Sequence, residues 1–344
     1  MLDFSEQEAA ALVALQRGVA LTERPFAETG ALCGLSEEAV LALVRRLLAS
    51  GEARRFGAVF DTRRLGYRSA LCAMTVPRVR LADVAEKVSA VRGVTHAYER
   101  GWPEELPRDL PGGPGDRSWP NLWFTLAAPG ADFADELQRL RTACQPYGIH
   151  ELPATRRFKI DVVFDLRTRD RDERVESRLP PVRGESTCTV ALSEKDRAIV
   201  RTLAGDVPVS ARIYKDAAEQ LDMTEGDLLE RLRDWQTSGV LRRFGLLLRH
   251  RKIGFKANGM CCWDMPEEEV AAAGRRVAAF PEVTHCYERP RMDIFPFRLY
   301  AMIHTSEWLK TQQLYERLTR EAGLADGQVL LSVKEFKKTS MSFF

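Results

Sequence analysis

Apolar residues in the C-terminal half of the chain recur first at helical spacing and then at strand spacing. In residues 192–205, LSEKDRAIVRTLAG, Ile199, Val200 and Leu203 share a face behind Ser193, a residue type that caps helix N-termini. SARIYKDAAEQLD follows with Ser210 in the same role, and TEGDLLERLRDWQTSG gathers Leu228, Leu229, Leu232 and Trp235 before stopping at Gly239. Three short helices followed by the strand-forming VLRRFGLLLRHRKIGF predict a winged helix-turn-helix. Beyond it the period changes. ANGMCCWDM, EVTHCYERP, FRLYAMIHT and VLLSVKEFKKT read as strands, while PEEEVAAAGRRVAAF and SEWLKTQQLYERLTREAG read as helices. That order, βαββαβ, is the ferredoxin-like pattern.

The N-terminal half carries the same series, with helices near residues 5–17, 25–33 and 36–50 and then ALCAMTVP, LADVAEKVSAV, GVTHAYERG, NLWFTLAA, DFADELQRLRTAC and HELPATRRFKID. Residues 53–69, ARRFGAVFDTRRLGYRS, return as LRRFGLLLRHRKIGFKA at 241–257, and VTHAYERG at 94–101 returns as VTHCYERP at 283–290. Phe158 corresponds to Phe336 at a shorter offset, because only the first copy carries WPEELPRDLPGGPGDRSWP at 102–120. The order of parts is kept, so one unit is written twice. The expected fold is α+β, a tandem duplication of a winged helix-turn-helix plus a ferredoxin-like domain. The expected boundaries are 1–53 and 54–164 for the first copy, a charged linker at 165–188, and 189–241 and 242–344 for the second. The linker, with its run of mixed charges, offers too little apolar surface to order itself strongly.

Composition narrows the functional classes. The 344 residues, 45% hydrophobic and 29% charged, hold no apolar run near the roughly 18 residues of a membrane span. The N-terminus lacks a basic stretch followed by an apolar core, so a cytoplasmic protein is expected. Seven cysteines without a CxxC pair read as reduced thiols rather than a disulfide framework or a zinc site, with Cys261 and Cys262 on opposite faces of a strand. A net charge of only +2 gives no general attraction to nucleic acid or anionic lipid. Any anion site must be local.

The repeated THxYER strand is the place to look for one. Its period of two puts His96, Tyr98 and Arg100 on one face, with Ala97 and Glu99 on the other, and aligns His285, Tyr287 and Arg289 in the same way. An apolar core disfavours an imidazole and a guanidinium on one side, so that face reads as a polar pocket wall. The plainer alternative is an arginine paired with a nearby glutamate and a histidine that is merely hydrogen-bonded.

A helix-turn-helix joined to a βαββαβ domain resembles the Lrp/AsnC family of regulators. The combination of RRFG (Arg54 to Gly57 and Arg242 to Gly245) with the THxYER strand is more specific and resembles the siroheme decarboxylases, here in a fused two-half form like that of the denitrifiers' route to d-type haem. The resemblance implies a carboxy-lyase converting siroheme to didecarboxysiroheme through a monodecarboxylated intermediate, for d-type haem or for haem b by an alternative route. It implies no pyruvoyl, pyridoxal or thiamine cofactor and no structural metal, with siroheme itself the iron tetrapyrrole bound. The halves are expected to pair within one chain, as an internal pseudo-dimer that is itself able to form homo-oligomers. For such an octacarboxylate, arginine forks are the apt partners; the candidates are Arg54, Arg55, Arg100, Arg242, Arg243, Arg289 and Arg298. His96 and His285 are the candidates for proton transfer, oriented or relayed by Tyr98 and Tyr287. Axial ligation of the iron by either histidine is a competing role. His150, His250 and His304 have no counterpart in the other copy and read as structural. The 102–120 insertion reads either as a lid over one pocket or as surface decoration.

The rival reading is a DNA-binding regulator, and a third is a tetrapyrrole sensor without turnover. A recognition helix touches DNA through its first residues. Here those are SEEAV and TEGDLLE, where Glu37, Glu38, Glu225 and Asp227 repel phosphate but suit a helix N-terminus. Arg45, Arg46, Arg231 and Arg233 remain as candidate phosphate contacts. DNA is not the expected partner.

Overall fold

The computed structural model describes residues 4–114, 119–164, 189–325 and 327–344, so the expected linker at 165–188 lies outside the described residues. The first half runs α1 (Glu6–Arg17), α2 (Pro25–Cys33), α3 (Glu37–Ala49), β1 (Ala53–Phe60), β2 (Tyr67–Met74), α4 (Arg78–Ala90), β3 (Val94–Gly101), β4 (Leu122–Pro129), α5 (Phe133–Ala143), β5 (His150–Leu152) and β6 (Arg156–Ile160). The second runs α6 (Glu194–Ala204), α7 (Ile213–Gln220), α8 (Glu225–Ser238), β7 (Leu241–Leu248), β8 (Ala257–Trp263), α9 (Glu267–Ala279), β9 (Val283–Glu288), β10 (Leu299–Thr305), α10 (Trp308–Glu321) and β11 (Gly327–Lys338). Local rules account for most ends. Ser5 and Ser193 each close a capping box, and Gly239 ends α8 in the left-handed conformation at φ 78°. Ser210 is a correction. α7 starts later, behind Arg212, and the Ser210 hydroxyl instead donates to the Asp216 carboxylate.

The expected wing of two strands in each half does not form. Each half contributes one strand, and β1 and β7 pair antiparallel with each other, Gly57 opposite Gly245 at the centre. The RRFG glycines explain why. A Cβ on Gly57 would lie 2.6 Å from the Gly205 carbonyl oxygen, and one on Gly245 would lie 2.3 Å from that of Leu15. Each glycine therefore lets its strand press against the first helix of the other half. Val19 N–H donates to Phe244 O at 2.8 Å, and Val207 N–H donates to Phe56 O at 2.9 Å, which locks the exchange in both directions. Phe56 and Phe244, both fully buried, meet edge to face at 5.5 Å. The two helical domains consequently share one core.

The remaining strands form a nine-stranded sheet in the order β5-β2-β4-β3-β11-β8-β10-β9-β6. Within it, β5-β2-β4-β3 and β11-β8-β10-β9 are two ferredoxin-like sheets, and their last strands cross over. β6 leaves the first half to pair with β9, while β11 pairs with β8 through Leu331 and then with β3 from Leu331 to Lys338. One apolar cluster lies under α4 and α5 and another under α9 and α10. A third takes Ala73, Trp123 and Leu152 from one half and Met260, Cys262 and Tyr300 from the other. Cys261 and Cys262 fall in different clusters, as strand alternation requires.

The insertion packs against the second half. Gly112 O accepts from Val329 N at 3.0 Å, and Trp119 Nε1 donates to Gln328 Oε1 at 3.0 Å while its ring meets Phe295 edge-on at 5.3 Å. It covers the start of β11, and so ties the halves together; its residues 115–118 lie outside the described ones.

Candidate active site

The crossed strands determine what surrounds each histidine. β3 lies between β4 and the tail of β11, so His96 stands opposite Thr125 on one side and Lys338 of the other half on the other. Tyr98 stands opposite Trp123 and Glu335. In the second half His285 stands opposite Met302 and Ile160, and Tyr287 opposite Tyr300 and Arg157. Ala97 and Cys286 point into the helix-covered cores. Both histidines are half-buried and anchored alike: Nδ1 lies 2.9 Å from Thr95 Oγ1 for His96, and 3.1 Å from Thr284 Oγ1 for His285. Each ring faces its tyrosine, at 6.3 Å and 6.0 Å between centroids.

Arg100 and Arg289 close the row. Arg100 is 6% exposed, lies over the Tyr98 ring at 5.3 Å, and reaches Asn258 Oδ1 at 3.3 Å and Leu330 O at 3.4 Å. Arg289 lies over Tyr287 and Tyr300 and donates to Leu152 O. Among the described residues neither makes an ion pair, and the Nε of each is buried without a partner. Burial lowers both, Arg100 to about 10, which leaves it charged at neutral pH. Two buried guanidinium charges thus lack an anion.

The RR pairs split by strand alternation. Arg54 turns towards His96 and Tyr98, close enough for their charges to interact. Arg55 turns the other way and donates to Gly205 O at 3.2 Å and Ala58 O at 3.0 Å. Arg242 lies near Tyr287 and donates to Ile160 O at 3.3 Å, while Arg243 donates to Val162 O at 3.4 Å. Arg298 pairs with Glu267 at 3.3 Å. The structure therefore gathers Arg54, His96, Tyr98 and Arg100 in one place and Arg242, His285, Tyr287 and Arg289 in another. Arg55, Arg243 and Arg298 are occupied elsewhere.

Burial, helped by the charges of Arg54, Lys338 and Arg100, pushes His96 down to about 3. It is a neutral imidazole. Burial pushes Tyr98 and Tyr287 up, so both remain hydroxyl donors. Sequence reasoning missed Lys338, Glu335, Arg249 and Arg251 near the first site, and Asp61, Arg157 and Asp161 near the second. Reading the repeat across the crossed strands would have found them. His250 and His304 lie beside Phe164, 5.0 Å apart between ring centroids, and His250 Nδ1 accepts from Lys338 Nζ at 2.8 Å. A cavity of about 1040 Å³ at the far end of β3 includes Arg100, but its other arginines, Arg78 and Arg108, are matched by Glu99, Glu104 and Glu105. Its balanced charge makes it a poor seat for a polycarboxylate.

The arginines considered for DNA already hold partners within the chain. Arg45 donates to Val209 O at 3.0 Å and Arg233 to Leu21 O at 2.7 Å, both across the halves; Arg46 pairs with Glu8 at 2.7 Å and Arg231 with Asp196 at 2.8 Å. Glu37 and Glu225, at the starts of α3 and α8, pair with Arg24 and Arg212.

Comparison with known proteins accords with this architecture. The model of the AsnC-like ligand binding domain matches residues 64–159 and 252–337, and that of the siroheme decarboxylase NirDL-like HTH domain matches 8–54 and 196–242. The siroheme decarboxylase of Hydrogenobacter thermophilus is 33% identical over 332 residues, 96% of this chain and 92% of that one. The chain belongs to the siroheme decarboxylase family. Half-length members of the siroheme decarboxylases exist: the beta subunit of Methanosarcina barkeri is 34% identical over 150 residues, 44% of this chain and 99% of its own. A crystal structure of the siroheme decarboxylase NirDL in complex with an iron-uroporphyrin III analogue superposes with a TM-score of 0.67 at 28% identity, covering 98% of this chain and 94% of that one.

Proposed function

We propose that this chain binds siroheme through Arg54, Arg100, Arg242 and Arg289 and removes carbon dioxide from two of its acetate side chains, giving didecarboxysiroheme through a monodecarboxylated intermediate. The observation that carries this reading is the pair of buried guanidiniums, Arg100 and Arg289, with no carboxylate partner among the described residues, each four residues beyond a histidine on the same face. Anionic side chains of a substrate satisfy them by charge-assisted hydrogen bonds.

Each step converts a ring-CH2-COO⁻ and one proton into a ring-CH3 and carbon dioxide. The conjugated macrocycle takes up the electron pair left by the carboxylate, and a protein acid returns the proton to carbon. His96 and His285 fill that role. His96 is neutral because burial and neighbouring cations disfavour its charge. Substrate carboxylates cancel those cations and so favour the protonated imidazole when the substrate is seated. Tyr98 and Tyr287, held as hydroxyls, orient the departing group or pass on the proton. Iron ligation by one histidine is the alternative use of the same neutral imidazole. The product serves d-type haem or haem b formation.

Anaerobic incubation of the full chain with siroheme, followed by mass spectrometry, tests this. Successive loss of two carbon dioxide units is expected. Binding without loss would mean a sensor, and neither binding nor loss would return a regulator to first place.

A further inference from the structure

The two sites differ most at the position supplied by the other half. Lys338 at the end of β11 stands opposite His96, and the corresponding position opposite His285 is Ile160. Lys338 is half-buried, and among the described residues no carboxylate pairs with it. Its ammonium is steadied instead by His250 Nδ1 at 2.8 Å, on a ring packed edge-on against His304 at 5.0 Å and stacked on Phe164 at 6.2 Å. An ammonium has three donors, so two remain to be shared with a ligand. Arg54, Arg100, Arg249 and Arg251 lie in the same neighbourhood, with Glu335 as the acid.

The second site has cations of its own, Arg63, Arg157 and Arg242, but it is also supplied with anions. Arg157 pairs with Asp61 at 3.2 Å, with both side chains largely covered, and Asp61 and Asp161 also act on Arg242. Each difference comes from the other half: Glu335 on β11 corresponds to Arg157 on β6, and Arg249 just after β7 corresponds to Asp61 just after β1. Crowded like charges are costly until an anion arrives, whereas a closed ion pair must be broken to admit one.

We infer that Lys338 is a substrate-binding residue of the His96 site, supplied by the second half and positioned by His250, and that it makes this site the tighter of the two for a polycarboxylate tetrapyrrole. The inference rests on the decarboxylase reading and adds to it. It also gives His250, which is structural on the sequence pattern, a positioning role.

The experiment titrates the full chain with iron uroporphyrin, an octacarboxylate, following the absorbance of the macrocycle. Lys338→Ile, which copies the other half, is expected to weaken binding at least tenfold, and Lys338→Arg to stay within about threefold of wild type. Lys338→Gln provides the same test if the isoleucine variant does not fold. His250→Phe keeps the ring packing and removes the acceptor; a smaller loss of affinity is expected, with a steeper dependence on salt. Wild-type affinity in folded K338I or K338Q would overturn the role of Lys338. A wild-type chain that binds no iron uroporphyrin would overturn the decarboxylase reading as well, so the two failures are distinguishable.

Discussion

His96 and His285 occupy the same position on equivalent strands, each anchored by the preceding threonine and faced by a tyrosine and an arginine, yet their settings differ in charge. Around His96 the other half contributes Lys338, Arg249 and Arg251; around His285 the first half contributes Ile160, Asp61, Arg157 and Arg63. Duplication alone preserves a constellation. What separates the copies is the strand each half lends to the other, so divergence in one half is felt in the site of its partner. A fused chain can in this way hold one cation-rich site and one whose cations are partly matched by its own carboxylates.

The largest expected contrast is in turnover. His96→Ala is expected to lower siroheme decarboxylation by about a hundredfold or more, the range of a lost general acid, while His285→Ala costs less than about tenfold. Equal losses would mean that the sites act together, and a reversed order would mean that the second does the chemistry. Binding should show a smaller contrast. Arg54→Ala is expected to weaken iron uroporphyrin binding roughly tenfold, but Arg242→Ala by about threefold at most, because Arg242 already donates to Ile160 O and lies near Asp61. Matching losses in the same titration would break the comparison at the arginines.

Much of the fold was legible in the sequence, because it rests on short-range rules. Serine caps, Gly239, the helical stripe through Leu228 and Trp235, and the change to strand period need only neighbours along the chain. The motif row of His96, Tyr98 and Arg100 was legible for the same reason: alternation decides which side chains share a face. The wing was misread because pairing partners are not local, and the pattern of β1 fits a hairpin as well as a strand exchanged with β7. Gly57 and Gly245 were the available clue, since glycine within a strand marks a close backbone approach. Lys338, on the crossed β11, and Asp61, just after the exchanged β1, were hidden in the same way. Each belongs by sequence to one half and by position to the site of the other.

The smallest expected effect tests the charge around His96 without any substrate. Its folded-state value of about 3 lies below the ordinary 6.5, so the unfolded chain binds the extra proton between those limits. Stability is therefore expected to fall as pH drops from about 6.5 towards about 3, and to be indifferent to this group above that window. Ligand-free His96→Gln removes the uptake and should lose less melting temperature between about pH 7 and pH 5 than wild type does. Parallel melting curves would mean that water reaches the imidazole and screens its neighbours. A wild-type curve that flattens on adding iron uroporphyrin would show the bound carboxylates returning the proton to His96, which is the step the proposed chemistry requires.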